Sequence, residues 1–87
     1  TIIICTGRDE ICEEDTKAWL ADHGIVYDEF HIRKRKDNRP DWQVKEEFWE
    51  SISYRYNIKL MYDDRDQVVE HARKLGFEVF QVQPGRF

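Results

Sequence analysis

Three groups of polar residues stand where an α/β protein could use them for chemistry. Asp63-Asp64 sets two carboxylates side by side directly after the apolar run from Ile58 to Tyr62. Neighbouring carboxylates repel, and such a pair is stable mainly when a hard cation or basic groups balance it; Mg²⁺ held by carboxylates and a substrate phosphate is the usual solution. Thr6-Gly7-Arg8 follows the β-branched run Ile2-Ile3-Ile4 and Cys5. Its hydroxyl and the next backbone N–H groups could donate to phosphate oxygens, with Arg8 adding a bidentate fork. Asp41 and Lys45 are four residues apart and so share one face of a helix; if that face meets a crevice, Lys45 becomes a phosphate anchor.

Each group also has a plainer explanation. Asp-Asp in a loop is more often a solvated turn with a helix cap. Thr6 can simply end a strand and Gly7 allow the turn, and Asp41 with Lys45 can be an exposed ion pair of little consequence. The chemical reading is favoured by joint placement, because two groups follow buried strands and the third opens a helix, the places where α/β sheets gather ligands.

The elements that must hold these residues follow from patterning. Thr1 to Cys5 reads as a strand buried on both faces, with Thr6 at its C-terminal end. From Asp9 or Glu10 to His23, Ile11, Ala18, Trp19 and Leu20 recur at helical spacing, acids crowd the first turns, and Gly24 ends the run. Ile25 to Ile32 contains a short strand, and the charged stretch Arg33 to Pro40 is a loop. Val44, Phe48, Ile52 and Tyr56 mark a second helix that Asp41 precedes and Asn57 ends. Ile58 to Tyr62 is a strand stopping at Asp63-Asp64, and Asp66 offers a cap for a third helix carrying Val68, Val69, Ala72 and Leu75 and closed by Gly76. Phe77 to Val82 gives a last strand before Pro84-Gly85. The order β-α-β-α-β-α-β implies right-handed crossovers and a mainly parallel sheet, with Thr6 and Asp63-Asp64 at the carboxyl ends of their strands.

Composition bounds the class. In 87 residues, 40% hydrophobic and 14% aromatic content supports a core despite 37% charged residues. No apolar run is long enough to span a bilayer, and Cys5 and Cys12 match neither a zinc pair nor a redox motif, so both are expected reduced, as in a cytoplasm. The net charge of −4 is uneven: Arg33, Lys34, Arg35, Lys36 and Arg39 form a local basic patch that either guides a nucleic-acid backbone or is a solvated charge run.

The stretches Ile4-Cys5-Thr6-Gly7-Arg8, Asp41 with Val44-Lys45-Glu46-Glu47-Phe48-Trp49, Lys59-Leu60 to Asp63-Asp64-Arg65, Gln67-Val68-Val69-Glu70, and Phe80-Gln81-Val82 with Gly85 and Phe87 together resemble one family. It is the 3′-phosphatase domain of phage-type polynucleotide kinase/phosphatases, in the haloacid dehalogenase superfamily, and the resemblance runs from end to end. It implies a HAD-like Rossmannoid three-layer α/β fold with a mainly parallel sheet, one partial domain over residues 1–87. It further implies that Thr6 is the second-motif hydroxyl that hydrogen-bonds the transferring phosphoryl group, that Arg8 contributes to the phosphatase site, that Lys45 is the third-motif lysine with the acidic Asp41 one turn before it, and that Asp63 and Asp64 are the fourth motif, which helps hold Mg²⁺.

Such phosphatases begin with a strand ending in Asp-x-Asp, whose first Asp attacks phosphorus and whose second acts as general acid and base. Asp63-Asp64 cannot take that place without leaving the metal site. The nucleophile strand is therefore expected upstream of Thr1, and these residues alone are expected to be inactive. In the superfamily that strand lies between those corresponding to Ile2–Cys5 and Ile58–Tyr62, so without it the sheet is incomplete and each unpaired backbone group costs about 1–3 kcal/mol. An upstream fragment of the same protein is the favoured filler, ahead of a partner chain or a swapped dimer. The expected function is Mg²⁺-dependent removal of a 3′-phosphate from DNA or RNA ends through an aspartyl-phosphate. Two alternatives stand beside it: a non-catalytic module that binds phosphate ends or assembles with itself or a partner, and a phosphatase of small metabolites.

Overall fold

A computed structural model describes residues 1–85; Phe87, part of the resemblance above, lies outside the described residues. The elements alternate as expected: β1 (Ile3–Asp9), α1 (Glu13–Asp22), β2 (Glu29–Arg33), α2 (Asp41–Ser53), β3 (Met61–Arg65), α3 (Asp66–Lys74) and β4 (Val79–Gly85). The chain divides into two compact units, Thr1–Arg39 and the remainder from Pro40.

In the first unit β1 and β2 form a parallel pair, with Ile3 opposite Glu29 and Thr6 opposite Ile32. β1 is longer than expected and runs through Thr6 to Asp9, but its register breaks between Thr6 and Asp9. Regular pairing thus ends at the residue the sequence marks as the strand end. The helix expected from Asp9 or Glu10 begins instead with a 3₁₀ turn, Glu10–Cys12, capped by the Asp9 carboxylate, which accepts the Ile11 N–H at 2.9 Å. Its inward face also differs, because Ile11 and Trp19 are exposed while Thr16 and Leu20, four residues apart, are buried. Thr16 is accommodated there because its hydroxyl donates to the Cys12 carbonyl at 2.8 Å. Cys5 and Cys12 are half-buried and not joined in a disulfide.

The second unit holds the larger core: Trp49, Val68, Val69, Ala72 and Val79 are buried together, with Trp42, Ile58, Met61 and Phe77 packed against them. On α2 the inward residues are Asp41, Val44, Lys45, Trp49 and Ile52, so Trp49 is buried where Phe48 was expected and Tyr56 lies beyond the helix. His71 of α3 lies between Trp42 and Trp49 of α2, with ring centroids 4.5 and 6.5 Å away, which keys the two helices together. β3 and β4 are parallel, with Met61 opposite Val79 and Asp63 opposite Gln81. β3 starts later than expected, at Met61, and contains the acidic pair instead of stopping before it. Its register also breaks just after the marked residue, between Asp63 and Arg65.

Two helices end where glycine predicts. Gly24 (φ +68°) and Gly76 (φ +94°) adopt the left-handed conformation that other residues rarely take. After α1 the Ile25 and Gly24 N–H groups donate to Leu20 and Ala21; after α3 those of Phe77 and Gly76 donate to Ala72 and Arg73. Both are Schellman closures, which occupy otherwise orphaned carbonyls.

Candidate active site

In the second unit the charged residues singled out in the sequence converge. Pro40 supplies the helix start, its carbonyl accepting from Gln43 and Val44, so Asp41 is the first helical residue and no side chain caps the turn. Freed from capping, the Asp41 carboxylate is buried and meets Lys45 Nζ at 3.5 Å and Arg65 at 3.4 Å. Lys45 Nζ reaches across to β3 and donates to Asp63 Oδ2 at 2.7 Å. The side chains of Lys45 and Asp63 are only 11% and 13% exposed, which rules out the solvated ion pair of the plainer reading. Two acids and two bases compensate one another in this cluster, as partly buried charges require.

The second carboxylate oxygen of the pair's first member is also committed. Asp63 Oδ1 accepts the N–H groups of Asp64 at 2.8 Å and Arg65 at 3.1 Å, folding the side chain over the register break. Asp64 is half-buried, and its carboxylate makes no hydrogen bond or ion pair among the described residues. The two neighbouring acids therefore differ in kind: Asp63 is locked by donors, and the Asp64 carboxylate has no partner among the described residues. No three acidic, histidine or cysteine side chains gather into a metal cage among the described residues. The sequence does contain an Asp-x-Asp triplet, Asp64-Arg65-Asp66, but Asp66 opens α3 and its carboxylate accepts from the Gln81 amide at 2.7 Å. That corrects the expectation that Asp66 caps the helix; Arg65 holds the cap position without a side-chain bond.

Thr6 and Arg8 belong to the first unit. Thr6 Oγ1 accepts the Arg8 N–H at 3.2 Å, which leaves the hydroxyl proton free to be donated. The Arg8 side chain is exposed and unpaired among the described residues. Arg33 ties the basic segment down: its Nε donates to the Gly7 carbonyl at 2.7 Å and its Nη1 to the carbonyls of Asp37 and Arg39 at 3.0 and 2.6 Å. Arg39 grips the Asp37 carboxylate at 2.6 and 2.9 Å, which holds that acid down at about 2. Lys36 takes φ +64° within the loop, and the Arg35 N–H donates to Glu10 at 3.1 Å. Of the five basic residues, Arg33 and Arg39 thus build the loop, and Lys34, Arg35 and Lys36 keep exposed, unpaired side chains among the described residues.

The model of the polynucleotide kinase PNKP phosphatase domain matches residues 1–87. The chain belongs to this family. Among solved structures, the chain is similar to one in the Pnkp1/Rnl/Hen1 RNA repair complex, with TM-score 0.93 and 37% identity over 100% of this chain and 29% of that one. A chain in a second structure of the Pnkp1/Rnl/Hen1 complex gives TM-score 0.92 and 37% identity, over 100% of this chain and 31% of that one. The PNKP-type chain described here thus spans under a third of either solved chain, and its fold is the α/β, HAD-like fold of that domain. No helix among the described residues is long and apolar enough to cross a membrane.

Proposed function

We propose that this chain is the phosphate- and metal-handling part of a polynucleotide 3′-phosphatase that acts on nucleic-acid ends during repair, with RNA favoured by the repair complex to which it is similar. The observation that carries the proposal is the Asp41–Lys45–Asp63–Arg65 cluster beside the uncommitted Asp64 carboxylate. Mg²⁺ fits this donor set, since it retains most of its waters and takes one or two carboxylates plus substrate phosphate instead of a protein cage. Asp64 would hold it and Asp63 would adjoin it, an adjustment to equal roles for the two acids. When bound, the ion supplies positive charge against the phosphoryl oxygens.

The remaining roles belong to side chains. In the second unit Lys45, fixed by Asp63 and Asp41, presents an ammonium that offsets phosphate charge; in the first unit the Thr6 hydroxyl and the exposed Arg8 guanidinium are donors suited to phosphate oxygens. The attacking carboxylate comes from a segment outside these 87 residues, upstream in the same polypeptide or on a partner chain. Its attack on phosphorus forms an aspartyl-phosphate as the bond to the 3′-oxygen breaks, the second acid of the same upstream Asp-x-Asp motif giving that oxygen the proton that makes it a hydroxyl; the same acid, now a base, takes a proton from the water that frees phosphate and restores the carboxylate. Lys34, Arg35 and Lys36 guide the nucleic-acid backbone.

The test compares release of phosphate from a 3′-phosphorylated oligoribonucleotide, its DNA equivalent and a nucleoside 3′-monophosphate by the natural full-length polypeptide. Preferential turnover of the oligonucleotides supports the proposal. Equal turnover of the monophosphate makes it a metabolite phosphatase, and end binding without turnover makes it a non-catalytic module.

A further inference from the structure

Gln81 lies on β4 opposite Asp63, at the last regular pairing before the register of β3 and β4 breaks. From Asp63 to Arg65 the chain advances by two residues on β3, while the partner position moves from Gln81 to Gly85 on β4, so strand-to-strand hydrogen bonds cannot follow their regular spacing there. The Gln81 side chain enters that gap. Its Nε2 donates to the Asp64 carbonyl at 3.1 Å and to Asp66 Oδ1 at 2.7 Å. Both partners are acceptors and the amide nitrogen carries two hydrogens, so chemistry alone fixes which end of the amide faces them.

We infer that Gln81 is a positioning residue for Asp64: by holding the Asp64 carbonyl and the Asp66 carboxylate on either side of Arg65, it sets the direction in which the Asp64 carboxylate points. The inference rests on the proposed role of Asp64 as a metal ligand. Asp63 is held from the other side, by Lys45 and by two backbone N–H groups, so the acidic pair is clamped at both ends and only Asp64 is presented. Removing a group that orients a metal ligand without touching the ion commonly costs about ten- to a hundredfold in metal affinity.

The experiment measures Mn²⁺ affinity by electron paramagnetic resonance, and the Mg²⁺ concentration giving half-maximal phosphatase activity, for the natural full-length polypeptide and three variants. Gln81→Met preserves length without donors, and Gln81→Glu sets acceptors against acceptors. Both are expected to weaken Mn²⁺ binding, Gln81→Met by about tenfold and Gln81→Glu by more, with a matching rise in the Mg²⁺ requirement. Asp64→Asn separates the two layers. Loss of Mn²⁺ binding in Asp64→Asn with unchanged affinity in Gln81→Met overturns the role of Gln81 alone; unchanged affinity in Asp64→Asn overturns the metal reading and this inference with it. If Gln81→Met does not fold, the side-chain amide resonances of Gln81 in the unsubstituted protein decide: a shift on Mg²⁺ titration with the midpoint of the Asp64 amide supports the inference, and none overturns it.

Discussion

Lys45 Nζ lies 2.7 Å from Asp63 Oδ2, joining the second turn of α2 to β3 across 18 residues of sequence. The bond is shielded, and Asp41 stands 3.5 Å from the same ammonium. Removing the lysine would therefore strip both carboxylates of its ammonium, leaving Arg65 beside Asp41 at 3.4 Å. Lys45→Met is expected to destabilise the protein by about 3 kcal/mol, the scale for breaking a buried pair from one side, and to lower phosphatase kcat about a hundredfold or more. Urea unfolding and single-turnover assays measure the two effects. A Lys45→Met/Asp63→Asn double variant should recover part of the lost stability and none of the activity.

Asp63 and Asp64 should respond unequally to the same change. Asp63→Asn weakens the ion pair with Lys45 and is expected to cost about 2 kcal/mol. Asp64→Asn alters a carboxylate with no bond among the described residues and should leave the metal-free stability within about 0.5 kcal/mol of the parent. Thermal denaturation of both variants in chelator is the measurement. Equal losses would mean that Asp64 is as much a structural residue as Asp63.

Where the sequence was legible, a local rule was enough. Gly24 and Gly76 close their helices because only the backbone conformation at those positions matters. The sequence marks Thr6 and Asp63 as strand ends, and each is the last residue of regular pairing, its side-chain oxygen turned back onto the N–H two residues on. What patterning missed depends on distant partners. Spacing puts Trp19 on the inward face of α1, yet it is exposed and stacked on His23 while Thr16 is buried, because a hydroxyl that bonds its own helix is cheap to bury. The pattern puts Asp41 before its helix, but a proline carbonyl starts the turn and frees the acid for Lys45 and Arg65. Gln81 carried no signal of its own, since its two bonds reach back 15 and 17 residues and exist only once β3 and β4 pair.

The loop after β2 contains a pH-sensitive contact. Arg39 donates to both Asp37 oxygens and lowers that carboxyl from 3.8 to about 2. A depressed carboxylate contributes stability that is fully present above its unfolded value and is lost as pH falls through the folded one. The contribution is thus complete above about pH 4 and fades toward pH 2, well below working conditions. Carboxyl ¹³C NMR should place the Asp37 midpoint near 2, and Arg39→Gln should return it toward 3.8. A midpoint unmoved by that substitution would show that Arg39 does not hold the loop.

The same loop separates residues that shape it from residues that could meet a ligand. Arg33 binds three backbone carbonyls, so Arg33→Gln should disorder the segment and weaken oligonucleotide binding indirectly. Lys34, Arg35 and Lys36 are exposed with unpaired side chains among the described residues, so neutralising them should leave folding intact. If each of them meets a phosphate of a single strand, replacing all three by glutamine reduces the slope of log affinity against log salt by about 2, from roughly 0.7 per contact. Fluorescence titrations with a 3′-phosphorylated oligonucleotide between low and moderate salt give that slope. An unchanged slope with an intact loop removes these residues from the binding surface and leaves the charge run as a solvated feature of the fold.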